Sequence, residues 1–291
     1  MKSSTVQSWI AIAVILAVGA GIAWAGSQGS RSVGGFPLFA WTGVLAFVVN
    51  WIVFVPSYAA RTEHYFDLTG SLTYLSVVGF ALLFGAGDAR ALLLAMLIGV
   101  WAARLGSFLF LRVKTDGSDG RFDRLKHDFP RFLMTWTLQG LWVFLTAGCA
   151  LAALSVATPT PLGASAALGV ALWLAGFAIE VTADRQKRIF RSDPANQGRF
   201  ITTGLWAWSR HPNYFGEILL WVGIALIAAP ALRGWQLVTL ISPVFVYVLL
   251  SRISGVPLLE QRAEKRWGQD PEYVSYRDRT PALWLRPPRA A

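Results

Sequence analysis

Cysteine occurs once in 291 residues, histidine three times, and charged side chains make up only 14% of the chain. Cys149 lies alone within an apolar run, which excludes a disulfide framework and any paired-cysteine redox or zinc element. His64, His127 and His211 are scattered and form no HExxH pattern, so no metal centre is expected. Phosphate-cradling loops are missing too. Neither GxxxxGK[ST] nor a GxGxxG between strand and helix occurs, which excludes a soluble P-loop or Rossmann module. There is no internal repeat and no low-complexity tract.

Apolar residues fill the space so left. They make up 55% of the chain, and the mean hydropathy is +0.49, the composition of an integral membrane protein. A span needs about 20 apolar residues. Such runs lie near 8 to 26, 36 to 58, 67 to 87, 90 to 112, 132 to 156, 163 to 184, 214 to 230 and 236 to 255. The expected fold is all-α: a polytopic membrane helix bundle of seven to eight transmembrane helices forming one domain over 1–291, with 214–230 as the span in question. The first run lacks a cleavage pattern and another span follows it at once, so it reads as a helix and not as a signal peptide.

Basic residues outnumber acidic ones, 26 to 16, giving a formal charge of +10. They cluster in one loop (Arg112, Lys114, Arg121, Arg124, Lys126, Arg131), in a second (Arg185, Lys187, Arg188, Arg191, Arg199, Arg210) and in the tail from Arg262 to Arg289. The opposite loops, 157–162 and 231–235, carry only Arg233. The positive-inside rule puts the basic segments and both termini in the cytoplasm. Because the basic residues alternate with spans and form no single patch, nucleic acid is not an expected partner, whereas membrane lipid is.

Polar residues concentrate in 180–217. Glu180, Asp184, Arg188 and Arg191 follow at intervals of four, four and three, which sets them on one helical face. That spacing suits an intrahelical salt-bridge ladder; it equally suits a ligand site, because Glu180 sits inside the run LWLAGFAIEVTAD, where an ionisable group is costly. Arginines such as Arg191 and Arg199 meet phosphate through planar, bidentate donors. In Ser209-Arg210-His211-Pro212-Asn213-Tyr214-Phe215-Gly216-Glu217, Pro212 suits a first helical turn, whose free backbone donors attract anions, with Arg210 and His211 beside them. Asn213 and Glu217, four apart, share a face. The turn-rich segments 114–130 and 193–199 are expected to close over a ligand. Trp51, Trp101, Trp136 and Trp142 lie in or near spans, as belt residues, as packing or as the wall of an apolar pocket.

SRHPNYFGE, preceded by ITTGLWAWSR and followed by LLSRISGVPLLEQRAEKRWGQDPEYVSYRDRTPALW, resembles the DUF1295 group of the steroid 5-alpha-reductase superfamily. The RHPxY element is also similar to that of isoprenylcysteine carboxyl methyltransferases, and the resemblance is strongest over 180–285. It implies a bacterial inner-membrane enzyme that binds NADPH on the cytoplasmic side and hydrogenates the C=C bond of a small hydrophobic enone, a 3-oxo-4-ene steroid above all. Carried over from the family pattern, the cofactor residues are Arg104, Asp184, Arg191, Arg199, Asn213, Glu217 and Arg252, with Arg191 and Arg199 seven and fifteen positions past Asp184, as in the reductases; the costly Glu180, the helix-start pair Arg210 and His211, and Tyr214 of RHPxY are expected to join them. Phe66-Asp67-Leu68 stands where those enzymes have Gln-Glu-Leu, and thirty-four residues past Asp67 comes Trp101, where they have tyrosine. Asp67 and Trp101 are therefore the expected substrate contacts. Asp67 takes the acid's part if burial keeps it protonated, its other reading being a helix cap. A replacement for the tyrosine is sought among Tyr65, His64, Tyr58 and Tyr74. A methyltransferase using S-adenosylmethionine, suggested by RHPxY and Glu260-Gln261-Arg262, and a non-enzymatic membrane binding protein are the alternatives.

Overall fold

The computed structural model describes residues 2–116 and 122–288, with side chains from 5 to 109 and from 122 to 288. Arg112, Lys114, Arg121 and Arg289, and the middle of the 114–130 loop, lie outside the described side chains. Among the described residues the chain is 78% helical and almost free of strand. Among the described residues eight helices are long and apolar enough to cross a membrane, including Pro212–Ala231, the span in question. The chain packs as two units, residues 1–166 with 225–242, and residues 167–224 with 243–291.

The first unit holds α1 (Lys2–Gly26), α2 (Leu38–Ala59), α3 (Phe66–Phe84), α4 (Ala89–Asp116) and α5 (Phe129–Ser155). At its centre is α5, packed on α1, α2, α3 and α4. Small residues allow the approach: a Cβ on Gly140 would stand 2.9 Å from the Phe47 ring and 3.1 Å from the Ala46 carbonyl oxygen. Polar side chains then bond within the bundle, where lipid offers no alternative partner. Asn50 donates to Thr73 Oγ1 at 3.2 Å, Trp51 to Thr137 Oγ1 at 3.1 Å, and Gln139 to the Phe66 carbonyl at 3.1 Å. Ahead of α2, β1 (Ser32–Val33) and β2 (Phe36–Pro37) form a minimal antiparallel hairpin. Its two turn residues, Gly34 and Gly35, have φ of +60° and +80°, as such turns require.

The second unit takes in most of α6 (Ala164–Ser192), the start of α7 (Pro212–Ala228), most of α8 (Ser242–Val248), α9 (Val256–Trp267) and α10 (Pro271–Arg279). Glycines set α6 against α7. Cβ atoms on Gly216 and Gly223 would each lie 2.5 Å from a carbonyl oxygen, of Gly176 and Gly169 respectively, so two glycines seven apart on one helix face two seven apart on the other. Gly216 also abuts the Glu180 backbone nitrogen, at 2.8 Å from its would-be Cβ. A π-helical turn, Leu249–Ile253, follows α8.

Candidate functional site

Pro212 opens α7 as its first residue. The strand of chain before it is held from two sides. Trp206 donates from its indole to the Ala183 carbonyl at 3.0 Å, the Leu205 N–H donates to Gln186 at 2.9 Å, and Lys187 lies over the Trp206 ring at 4.3 Å. From the tail, the Tyr276 hydroxyl donates to the Trp206 carbonyl at 2.7 Å, and burial pushes that phenol well above the usual tyrosine range. Ser209 donates to the Leu283 carbonyl at 3.0 Å and accepts from the His211 N–H at 3.1 Å. The Arg210 N–H donates to the Pro281 carbonyl at 2.9 Å.

These ties bring Arg210 and His211 onto one carboxylate, Glu260 of α9. Arg210 grips it with both prongs, Nε to Oε1 at 3.1 Å and Nη2 to Oε2 at 2.7 Å, while Nη1 donates to the carbonyls of Thr280 and Arg277. His211 Nε2 stands 2.7 Å from Glu260 Oε1. A carboxylate only accepts, so Nε2 carries the hydrogen and the neutral ring leaves its lone pair on Nδ1. Nδ1 is buried and has no hydrogen-bond partner among the described residues. Burial holds the imidazole below its ordinary range; Glu260 opposes that shift, and Lys187 and Arg210 add to it. The ring stacks on Tyr214, 5.8 Å between centroids.

The structure thus sets Arg210 to a task other than the one its sequence suggests. Four of its hydrogen bonds go to Glu260 and two carbonyls, so it clasps the tail instead of standing free for an anion. Glu260, noted in the sequence within Glu260-Gln261-Arg262, binds both members of the Arg-His pair, a partnership that sequence spacing hides because Glu260 lies 50 positions past Arg210. The other expected residues of this unit are distributed around the clasp. Glu180 is buried on α6, Asp184 is half-buried one turn on, and Arg191 is exposed in the last turn of that helix. Arg199 is exposed after the 3-10 turn Pro194–Asn196, and its side chain has no hydrogen bond or ion pair among the described residues. Asn213 and Glu217 are half-buried on α7, and Arg252 is exposed in the π-helical turn.

In the first unit, Asp67 is the second residue of α3, half-buried; Tyr65 holds the cap position, so Asp67 is not the cap. Its charge still complements the helix start. Tyr65 is exposed, and His64, exposed as well, bonds through Nδ1 to Thr62 Oγ1. Trp101 is fully buried on α4 and meets Tyr74 edge-on at 5.0 Å. Arg104, one turn past Trp101, covers the Phe108 ring. Of the candidate pocket tryptophans only Trp142 lines the apolar cavity of about 190 Å³ bounded by Phe66, Phe122, Leu138 and Gln139. Trp136 is fully buried in an aromatic cluster with Phe54, Phe66, Phe122 and Phe132. Sequence reading also passed over Glu63, buried and bonded to Lys126 at 3.0 Å, and Arg90, whose guanidinium donates to the carbonyls of Thr160, Pro161 and Ile227. No group of three or more potential metal ligands occurs among the described residues.

Eight helices fit to span a bilayer, with polar residues gathered at helix ends and in the tail, define a polytopic integral membrane protein. The chain belongs to the family DUF1295, described as a protein of unknown function, which matches residues 51–280. An uncharacterized protein, C594.04c, of Schizosaccharomyces pombe is 25% identical across 60% of this chain and 60% of its own length. A probable O-methyltransferase, ustE, of Ustilaginoidea virens is 28% identical across 52% of this chain and 49% of its own. The chain therefore spans about half to three fifths of these curated relatives. No solved structure matches it.

Proposed function

We propose that the protein is a membrane-embedded NADPH-dependent reductase of the C=C bond of an α,β-unsaturated ketone, with steroid-like 3-oxo-4-ene compounds as the first substrate class to test. The observation that carries this reading is the division of labour among the arginines. Arg210 binds Glu260, whereas Arg199, just past the end of α6, is exposed and makes no side-chain hydrogen bond or ion pair among the described residues; Arg191, in the last turn of α6, is exposed eight positions before it. Phosphates call for such guanidinium forks, and a methyl donor without phosphate does not. The buried Nδ1 of His211 fits the same cofactor, because it can accept a hydrogen bond from an amide or a ribose hydroxyl.

When bound, NADPH would supply hydride to the carbon β to the ketone, and a proton taken up from water at the α carbon would complete the reduction. Arg191 and Arg199 hold its phosphates, Glu180 and Asp184 accept from its hydroxyls, and Asn213 and Glu217 orient its amide end. Charge that develops on the ketone oxygen needs a donor already aimed at it. The family pattern assigns that part to Asp67. Tyr74, edge-on to Trp101, supplies the phenol that the family pattern has at the tryptophan's position.

A second reading, transfer of a methyl group from S-adenosylmethionine to a hydrophobic acceptor, is favoured by RHPxY and Glu260-Gln261-Arg262 and by the name of the relative in Ustilaginoidea virens, a probable O-methyltransferase. Titrating the detergent-purified protein with NADPH, NADH and S-adenosylmethionine, with thermal stability as the readout, separates the two, since a ligand of the folded state raises apparent stability. The expected result is selective stabilisation by NADPH that weakens about tenfold or more in Arg191→Ala or Arg199→Ala. Stabilisation by S-adenosylmethionine alone replaces the reductase with the methyltransferase.

A further inference from the structure

The tail forms a second polar concavity next to the clasp. Arg210, Arg277, Arg279 and Arg286, with Asp278 and Thr280, line a cavity of about 290 Å³. Two of these guanidiniums are already engaged: Arg210 with Glu260, and Arg277 with Glu264 at 2.8 Å and Asp278 at 3.1 Å. The side chains of Arg279 and Arg286 have no hydrogen bond or ion pair among the described residues. Helix polarity accounts in part for Arg277 and Arg279, which end α10, where cations are favoured. It does not account for Arg286, which lies beyond the helix and is brought to the same cavity by its own N–H, donated to the Trp208 carbonyl at 3.0 Å.

The walls are pinned before any ligand arrives. Arg210 N–H to Pro281, Arg286 N–H to Trp208 and the Ser209 hydroxyl to Leu283 tie the 280–286 segment to 208–210, so little ordering is left for binding to bring about. Two large aromatics stand exposed on these segments, Trp208 at 41% and Trp284 at 58%, the kind of side chain that settles at the headgroup level of a bilayer. Trp284 packs on Phe215 and Tyr247.

We infer that this cavity binds a phosphate group, with Arg279 and Arg286 as its donors, independently of which cofactor the protein uses. Planar guanidiniums without a carboxylate partner, converging on one rigid concavity, match a phosphate's oxygens. The phosphate belongs either to an anionic lipid headgroup or to a soluble phosphoester, and one experiment distinguishes them. The full chain in maltoside micelles is melted at constant ionic strength with phosphatidylglycerol, with diacylglycerol of the same chains, or with inorganic phosphate. Wild-type protein is expected to melt several degrees higher with a phosphate-bearing ligand and not with diacylglycerol. Arg279→Gln and Arg286→Gln each weaken the apparent affinity about tenfold, while Arg262→Gln, the same charge change on α9, leaves it unchanged. Stabilisation by phosphatidylglycerol alone assigns a lipid headgroup; an equal effect of inorganic phosphate assigns a soluble ester. The unliganded melting temperature of each variant reports whether it folds, and Arg279→Lys with Arg286→Lys retains the charge where glutamine disturbs folding. No stabilisation of the wild type, or stabilisation that survives in folded glutamine variants, overturns the assignment.

Discussion

Glu260 holds two cationic or hydrogen-bonding groups from one dipeptide and joins α9 to the start of α7. Its removal strands the Arg210 guanidinium, a side chain only 15% exposed, beside carbonyls that cannot neutralise it. Glu260→Ala is expected to destabilise the protein by roughly 2–4 kcal/mol, read as a fall in melting temperature in detergent. Glu260→Gln, which can still accept from both partners, loses less. His211 makes the same centre sensitive to acid. Glu260 of α9, Lys187 of α6 and Arg210 face the ring, Tyr214 stacks on it, and burial favours its neutral form. The unfolded chain therefore takes up the proton first, near the ordinary value of 6.5. Stability is complete above that pH and is lost as pH falls through the lower folded-state value. Melting temperatures measured from pH 7.5 downward are expected to fall more steeply in the wild type than in His211→Asn. An identical slope in both proteins removes His211 from the linkage.

At the level of elements, the glycine seam between α6 and α7 keeps Glu180 and Glu217 on neighbouring turns of touching backbones. Gly216→Ala would place a methyl carbon 2.5 Å from the Gly176 carbonyl oxygen, which side-chain rotation cannot relieve. A loss of about 1–3 kcal/mol and of cofactor-induced stabilisation is expected, whereas Gly79→Ala on α3, with nothing within 4 Å, stays within about 0.5 kcal/mol. Most elements were legible because a lipid-spanning helix has to be a long apolar run. The expected boundaries fail where polarity and helicity part company. The apolar run stops at residue 184, yet α6 continues to Ser192, because charged residues four apart sustain a helix as readily as apolar ones. The last span hides a 3-10 segment, a π-helical turn and a polar helix inside what hydropathy reads as one stretch. Composition contains no signal for the Gly34-Gly35 hairpin beyond the two glycines themselves, since four strand residues are too few to show alternation.

For the whole molecule, the basic loops predict that α6 leaves its two ends on opposite sides of the membrane. Cys149 is buried, so a Cys149→Ser background offers a chain free of native thiols for labelling. Thr158→Cys and Ala195→Cys are expected to react with an impermeant maleimide from opposite faces of sealed vesicles, Ala195→Cys from the cytoplasmic one. Labelling of both from one face would refute the topology. How much of the candidate site the sequence showed follows from distance along the chain. That Glu180 and Asp184 share α6, and Asn213 and Glu217 share α7, was legible because helical periodicity links near neighbours. The clasp was not, because Arg210 meets Glu260 at a separation of 50 residues and the Arg277 and Thr280 carbonyls at 67 and 70, and no periodicity reaches so far. That separation also bears on biogenesis. During synthesis Arg210 enters the nascent chain well before its acceptors, and Ser209 waits for Leu283, so α7 is inserted with its polar entry strand unmet. The insertion machinery and the lipid headgroups must shelter that strand until translation has passed Leu283, and a ribosome stalled between residues 230 and 280 would expose an arginine that quality-control proteases can read as incomplete.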